Sequence, residues 1–145
     1  MNFNELHDGI SCDCTKKAFA DFDSTYGMKT NKEHLREVDF KSHWEKGKRP
    51  ESDNCKEICS FKAKSLSIIN GETFDEVKKI YQQLFPISPG YKPYLAIIKF
   101  SDKTGLVEPT PILNVNPHHY DFYKCDEFIF ENVEHIESHS LADNV

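Results

Sequence analysis

Four of the five cysteines stand in two close pairs, Cys12-x-Cys14 and Cys55-x3-Cys59, with Cys125 apart. Two thiolate pairs supply four soft ligands, the set a tetrahedral zinc takes. The spacings depart from the C-x2-C knuckle, which turns backbone amides toward the sulfurs. Free, partly buried thiols are the plainer expectation, with Zn on Cys12, Cys14, Cys55 and Cys59 as the alternative. The cysteine count is odd, and Met1 to Gly9 has neither a basic start nor an apolar run. That pattern argues against a disulfide framework and for a cytoplasmic chain.

The densest polar cluster is His118-His119-Tyr120-Asp121, directly after Asn116-Pro117. A histidine entering a strand from a loop can act as a general base if a carboxylate such as Asp121 orients it. Adjacent residues on a strand face opposite ways, so one site takes only one of the two histidines. The competing reading is a turn whose His and Asp side chains bond to backbone. A Cys125–His119 dyad is arithmetically available, but no nucleophile signature surrounds the cysteine. His135 and His139 share a helical spacing, yet Val133 to Glu137 is equally strand-like and would separate them. Ser65-Leu66-Ser67, with Arg36 before it and Glu131 or Glu134 after it, keeps the loose order of an Arg, Ser-x-Ser, Glu transferase site. A chain of this size offers such an order by chance.

The single tryptophan, Trp44, stands among His43, Lys46, Lys48 and Arg49. An aromatic ring beside lysines can stack a base and neutralise phosphate, so Trp44, Lys46, Lys48 and Arg49 form a candidate binding set. A helix end with bases suited to the dipole is the ordinary alternative. Charge is unevenly spread. Lys29 to Pro50 holds seven bases against four acids, whereas Asp121 to Val145 holds Lys124 against seven acids. The net charge of -6 and the acidic end argue against nucleic acid and membrane surfaces as partners. The asymmetry points to a protein partner or to self-association.

The elements that must position these groups follow from pattern. Glycine and proline are sparse before Pro86, which predicts a mainly helical N-terminal half. Ser11 to Phe22 reads as a short helix ended by Gly27. Thr30 and Glu33 form a capping box for a helix to about Glu45, and Asp53 to Cys59 adds a helical turn. Phe61 to Ile69 reads as a strand. Phe74, Val77, Ile80, Tyr81, Leu84 and Phe85 recur at helical spacing behind a Thr73/Glu76 box, predicting an amphipathic helix over 73–85. Beyond Pro86 the punctuation changes to strands at Tyr94–Phe100, Leu106 onward, Ile112–Val115, Tyr120–Tyr123 and Phe128–Phe130, with a hairpin loop at 101–105. The expectation is a single α+β domain over 1–137: helices first, then a small, mostly antiparallel sheet on helix 73–85. A frayed acidic tail follows over 138–145.

No P-loop, dinucleotide fingerprint, H-E-x-x-H or G-x-S-x-G occurs, and no apolar run approaches the ~20 residues of a membrane helix. The residues therefore favour a non-catalytic binding or accessory module acting through protein contacts. A small hydrolase or transferase using His118, His119 and Asp121, and a zinc-stabilised domain, are the alternatives.

Overall fold

The chain is described over residues 1–142 by a computed structural model. Six strands form one antiparallel sheet in the order β4-β5-β2-β1-β3-β6. They are β1 (Thr25–Thr30), β2 (Lys64–Ile69), β3 (Tyr94–Lys99), β4 (Gly105–Pro109), β5 (His119–Lys124) and β6 (Glu134–Ser140). The helices are α1 (Asn4–His7), α2 (Cys55–Lys62) and α3 (Phe74–Leu84), with 3-10 turns at Glu37–Phe40 and Phe130–Asn132. The fold is sheet-dominated, which corrects the expectation of an α+β chain with a mainly helical N-terminal half. Residues 11–22 hold one turn at 14–17 and a single bridge at Phe19 in otherwise irregular chain, and the segment from Thr30 to Glu45 carries one 3-10 turn and no α-helix. The apolar pattern explains the difference: Leu35 and Phe40 enter the core from an irregular cover, and no helical stripe links them.

Gly27 shows how sparse glycine misled that reading. It lies buried inside β1, the central strand beside β2 and β3, where a Cβ would come within 2.6 Å of Ile69 Cδ1 and 2.9 Å of Leu95 Cδ1. The neighbouring side chains close over it, so the glycine fits close packing and does not end an element. The helix over 74–84 forms as its spacing requires. It crosses over between β2 and β3, which both flank β1. Its buried Val77 and Tyr81 pack on Ile69, Leu95 and Ile97. The turn before it is organised by Asn70, whose Oδ1 accepts from the amides of Glu72 and Thr73.

The opposite face of the sheet is covered by loops rather than helices. Phe40 sits 1% exposed among aromatic rings, with centroids 5.4 Å from Phe128 and 5.9 Å from Phe122. Phe100 and Phe122 stack at 4.4 Å. Offset and edge-on rings let irregular chain fill a face that a helix would otherwise cover.

A third cluster joins the N-terminal segment to α2, packing Leu6, Cys12 and Cys14 on Ala63 and Tyr123. Disulfides Cys12–Cys55 and Cys14–Cys59 fasten it. Lys62, at the end of α2, donates to the carbonyls of Leu6 and Asp8. The Asp126 carboxylate accepts from the amides of Asn4 and Glu5, which open α1. Cys125 is a buried free thiol.

The two edges differ. On β4, Phe19 exchanges both backbone hydrogen bonds with Val107. On β6, Ile97 faces Glu137 but Ile98 faces His135, leaving Ile136 as an extra, bulged residue. Ser138 to Ser140, expected in the tail, pair with β3 and are followed by buried Leu141; residues 143–145 lie outside the described part.

Phe40→Ala should lower stability by about 3–5 kcal/mol in urea unfolding, because the aromatic cover cannot collapse onto the space. Each disulfide closes a loop of more than forty residues, 43 and 45 apart in sequence. Losing the first closure should cost ~4 kcal/mol, and losing the second less, since it closes nearly the same loop. Thermal unfolding with and without dithiothreitol reads the combined effect, and the intact mass of unreduced protein shows whether the hydrogens of two disulfides are missing.

Candidate functional site: a basic cleft

β1 and β2 pair only at Thr25/Ile69, Tyr26/Ile68 and Gly27/Ser67. Beyond Gly27, β1 continues along β3 to Thr30, while β2 runs back along β5 to Lys64. The two central strands thus part, and a cleft of about 200 Å³ opens there. Lys29 enters it from β1, and Ala63, Lys64 and Ser65 from the start of β2. Tyr81 and Phe85 form an apolar wall from the end of α3, and Lys41, Ser42, His43 and Lys46 close the rim. No acid lines it among the described residues.

The rim is held by a reciprocal turn. The Ser42 amide donates to Glu45 Oε1 at 3.1 Å, and the Glu45 amide donates to Ser42 Oγ at 3.2 Å. Lys124 of β5 binds the second Glu45 oxygen at 3.0 Å. Burial would raise the Glu45 carboxyl, but the Ser42 amide and Lys124 outweigh it and keep it low. The one acid of this turn is thereby anchored to β5.

Crowded bases in a cleft titrate early. Burial, then Lys46 and Lys29, bring the Lys64 ammonium down to about 8, against some help from Asp39. Burial also lowers Lys29, again opposed by Asp39. His43 is lowered by burial and then by Lys48, Lys46, Lys64 and Lys29. Asp39 offers little neutralisation, because Arg36 takes both its oxygens, by guanidinium at 3.0 Å and by amide at 2.8 Å.

Of the residues singled out from sequence, Lys46 and Ser65 line this cleft. Trp44 lies elsewhere, beside a smaller cavity of about 90 Å³ with Lys62, Lys124 and Cys125. Its ring carries the Arg49 guanidinium at 3.7 Å and Lys62 Nζ at 4.6 Å. Arg49 is further tied to the Trp44 and Lys48 carbonyls. The ring therefore serves as an internal clamp for two cations. Lys48 is exposed and lines neither cavity. The four paired cysteines do come together, but as disulfides, whose sulfurs are not thiolates. Among the described residues, no group of three or more His, Cys, Asp or Glu is placed to hold one metal ion.

The His118–Asp121 cluster is divided by its strand. His118 Nε2 meets Glu76 of α3 at 2.9 Å, while His119 Nδ1 lies 2.9 Å from Thr110 Oγ1. Burial lowers His119. None of the three lines the basic cleft or the cavity beside Trp44. Asp121 is 6% exposed, with Glu108 opposite on β4, and its Oδ1 has no hydrogen-bond partner. Burial first, then Glu108, raise its carboxyl to about 7.

No family model, curated protein or solved structure matches the chain. The cleft is therefore read from its own chemistry. Sequence reasoning passed over Lys29, Lys41 and Lys64 as site residues. The surplus of bases over Lys29–Pro50 was the available signal for Lys29 and Lys41; nothing in the sequence brings Lys64 to them.

A raised carboxyl favours the protonated fold. Asp121 contributes stability that is whole below its unfolded value near 3.8 and is lost as pH rises through about 7. Asp121→Asn should therefore raise the melting temperature at pH 8, by a gain on the order of 2–4 kcal/mol, and the gap should close toward pH 4. Melting curves of both proteins across that range provide the check.

Proposed function

We propose that the protein is a binding module whose parted central strands hold an anionic ligand. Lysines from three separate segments converge on one cleft with no carboxylate in its lining, and this single observation carries the reading. Phosphate, sulfate or carboxylate groups gain most where cations are already partly desolvated, since the opposing water is reduced. The apolar wall of Tyr81 and Phe85 favours a ligand with a carbon body behind its charge. A molecule this acidic overall gains selectivity from such a site: bulk polyanions are repelled, while a small anion reaches the local positive field. The disulfides favour work in an oxidising compartment over the cytoplasmic setting expected from the cysteine count.

Contact with a protein partner remains compatible with this reading if the anion is an acidic side chain or a phosphorylated residue. The His118–Asp121 alternative has less support, because its groups are turned to different partners and Asp121 is buried against Glu108.

Inorganic pyrophosphate is a suitable probe. Calorimetric titration should show saturable binding that weakens as sodium chloride rises. Lys46→Gln should reduce affinity by about tenfold, the scale of one lost charge contact, ~1.4 kcal/mol. Lys64→Met should also weaken binding and yet raise the melting temperature below pH 8. A lysine with a lowered value is penalised in the fold while charged, and that penalty lifts only as pH climbs from about 8 toward 10.5. Absence of saturable heat, or an affinity in both variants unchanged from that of the unsubstituted protein, would overturn the reading.

A further inference from the structure

The lysines of the cleft are not equivalent. Lys29 Nζ donates to Asn31 Oδ1 at 3.1 Å and lies over the rings of Phe85 and Tyr91. Lys41 and Lys46 are exposed on the rim. Lys64 is half-buried, and among the described residues its amine has neither a hydrogen-bond acceptor nor an ion-pair partner. The groups around it come from every neighbouring element: Lys29 from β1, Asp39 from the 3-10 turn, and Lys41, His43 and Lys46 from the rim. Tyr81 comes from α3. Tyr81 stays protonated, its hydroxyl 2.9 Å from Ser67 Oγ, and burial pushes it up to about 12. Asp39 is occupied by Arg36.

From this placement we infer that Lys64 is a reactive amine that condenses with a small anionic aldehyde or ketone drawn into the cleft by the surrounding lysines. The inference rests on the anion-binding reading and adds a covalent step to it. A lysine in a desolvated site beside other cations is a recognised route to an amine nucleophile at moderate pH. The neighbours that depress its proton affinity also attract the ligand's phosphate or carboxylate. The ligand's charge is then held at the rim with its carbonyl carbon turned inward.

The step balances without any other reactant. The neutral Nζ lone pair forms a bond to the carbonyl carbon, and the carbonyl π pair moves to oxygen to give a carbinolamine. The C–O bond then breaks, the C=N bond forms, and the oxygen leaves as water with the two hydrogens the amine carried. Nothing is oxidised or reduced. His43, on the same rim and held toward its neutral form by burial and by the nearby lysines, is placed to carry the proton between nitrogen and oxygen.

Pyridoxal 5′-phosphate is the probe, being an aldehyde with a phosphate. The full chain, with disulfides intact, is incubated with it at pH 7.5, reduced with borohydride and mapped by peptide mass spectrometry. Lys64 should be labelled about tenfold or more faster than any other lysine, reflecting its larger neutral fraction. Labelling should rise with pH up to about 8 and be competed by inorganic pyrophosphate. Lys64→Arg, which keeps the charge but cannot form the imine, should lose the fast phase. Labelling spread over exposed lysines such as Lys32 and Lys79 without preference for Lys64 would overturn the inference, as would an unchanged fast phase in Lys64→Arg. If pyrophosphate still binds while Lys64 stays unlabelled, the covalent step alone fails. If neither occurs, the anion-binding reading fails with it.

Discussion

The two middle strands of the sheet hydrogen-bond over three residue pairs and then separate. Backbone groups turned away from a lost partner still need hydrogen bonds, and water is the ready supply. An opening at the centre of a sheet must therefore stay wet and reach solvent. Long cationic stems suit its walls, since they cover apolar surface while their heads stay hydrated. Phe85 and Tyr81 at the end of α3 keep the sides apart, and the Ser42–Glu45 turn sets the rim. The positive cleft thus follows from how β1 and β2 are shared with β3 and β5.

Gathering like charges costs stability, and the chain offsets that cost elsewhere. The loop-covered face is filled by aromatic rings around Phe40, and the N-terminal segment is cross-linked to α2, which leads directly into Ala63 and Lys64. The disulfides therefore fix the base of the strand that carries Lys64. Buried Asp121 facing Glu108 is a second local conflict. Such departures from an optimised sheet accord with a scaffold that holds function at some expense of stability.

Helix α3 and strands β3, β4 and β5 were legible because each has its own period and its own turn signals, from Phe74 to Leu84 and from Tyr94 to Lys124. In the N-terminal half the helical turn at 53–59 and the strand at 61–69 correspond to α2 and β2, but the segment before Pro50 was misread. Gly27 looked like a breaker, yet it is a packing glycine under Ile69 and Leu95, and only the tertiary neighbours show that. Thr30 looked like a helix cap and instead ends β1. The cysteines were read as free thiols, or alternatively as zinc ligands, and against disulfides, because spacing alone does not separate either state from cross-linked sulfurs. Trp44 and Lys46 were chosen together for their closeness in sequence, and the turn at 42–45 sends them to different cavities. Lys64 had no local signal, since its character comes first from burial in the cleft and then from Lys46 on the rim and Lys29 across the parted strands.

The outer strands bear on how such a sheet remains finite. The β4 side is occupied by Phe19, and the β6 side carries the extra residue Ile136. An incoming flat strand meets a continuous hydrogen-bonding comb on neither side, because one comb is taken and the other is out of step partway along. Strand addition by a second copy is thereby disfavoured at both edges, at Phe19 on one and at the bulge of β6 on the other, while the sheet leaves its own centre partly unzipped.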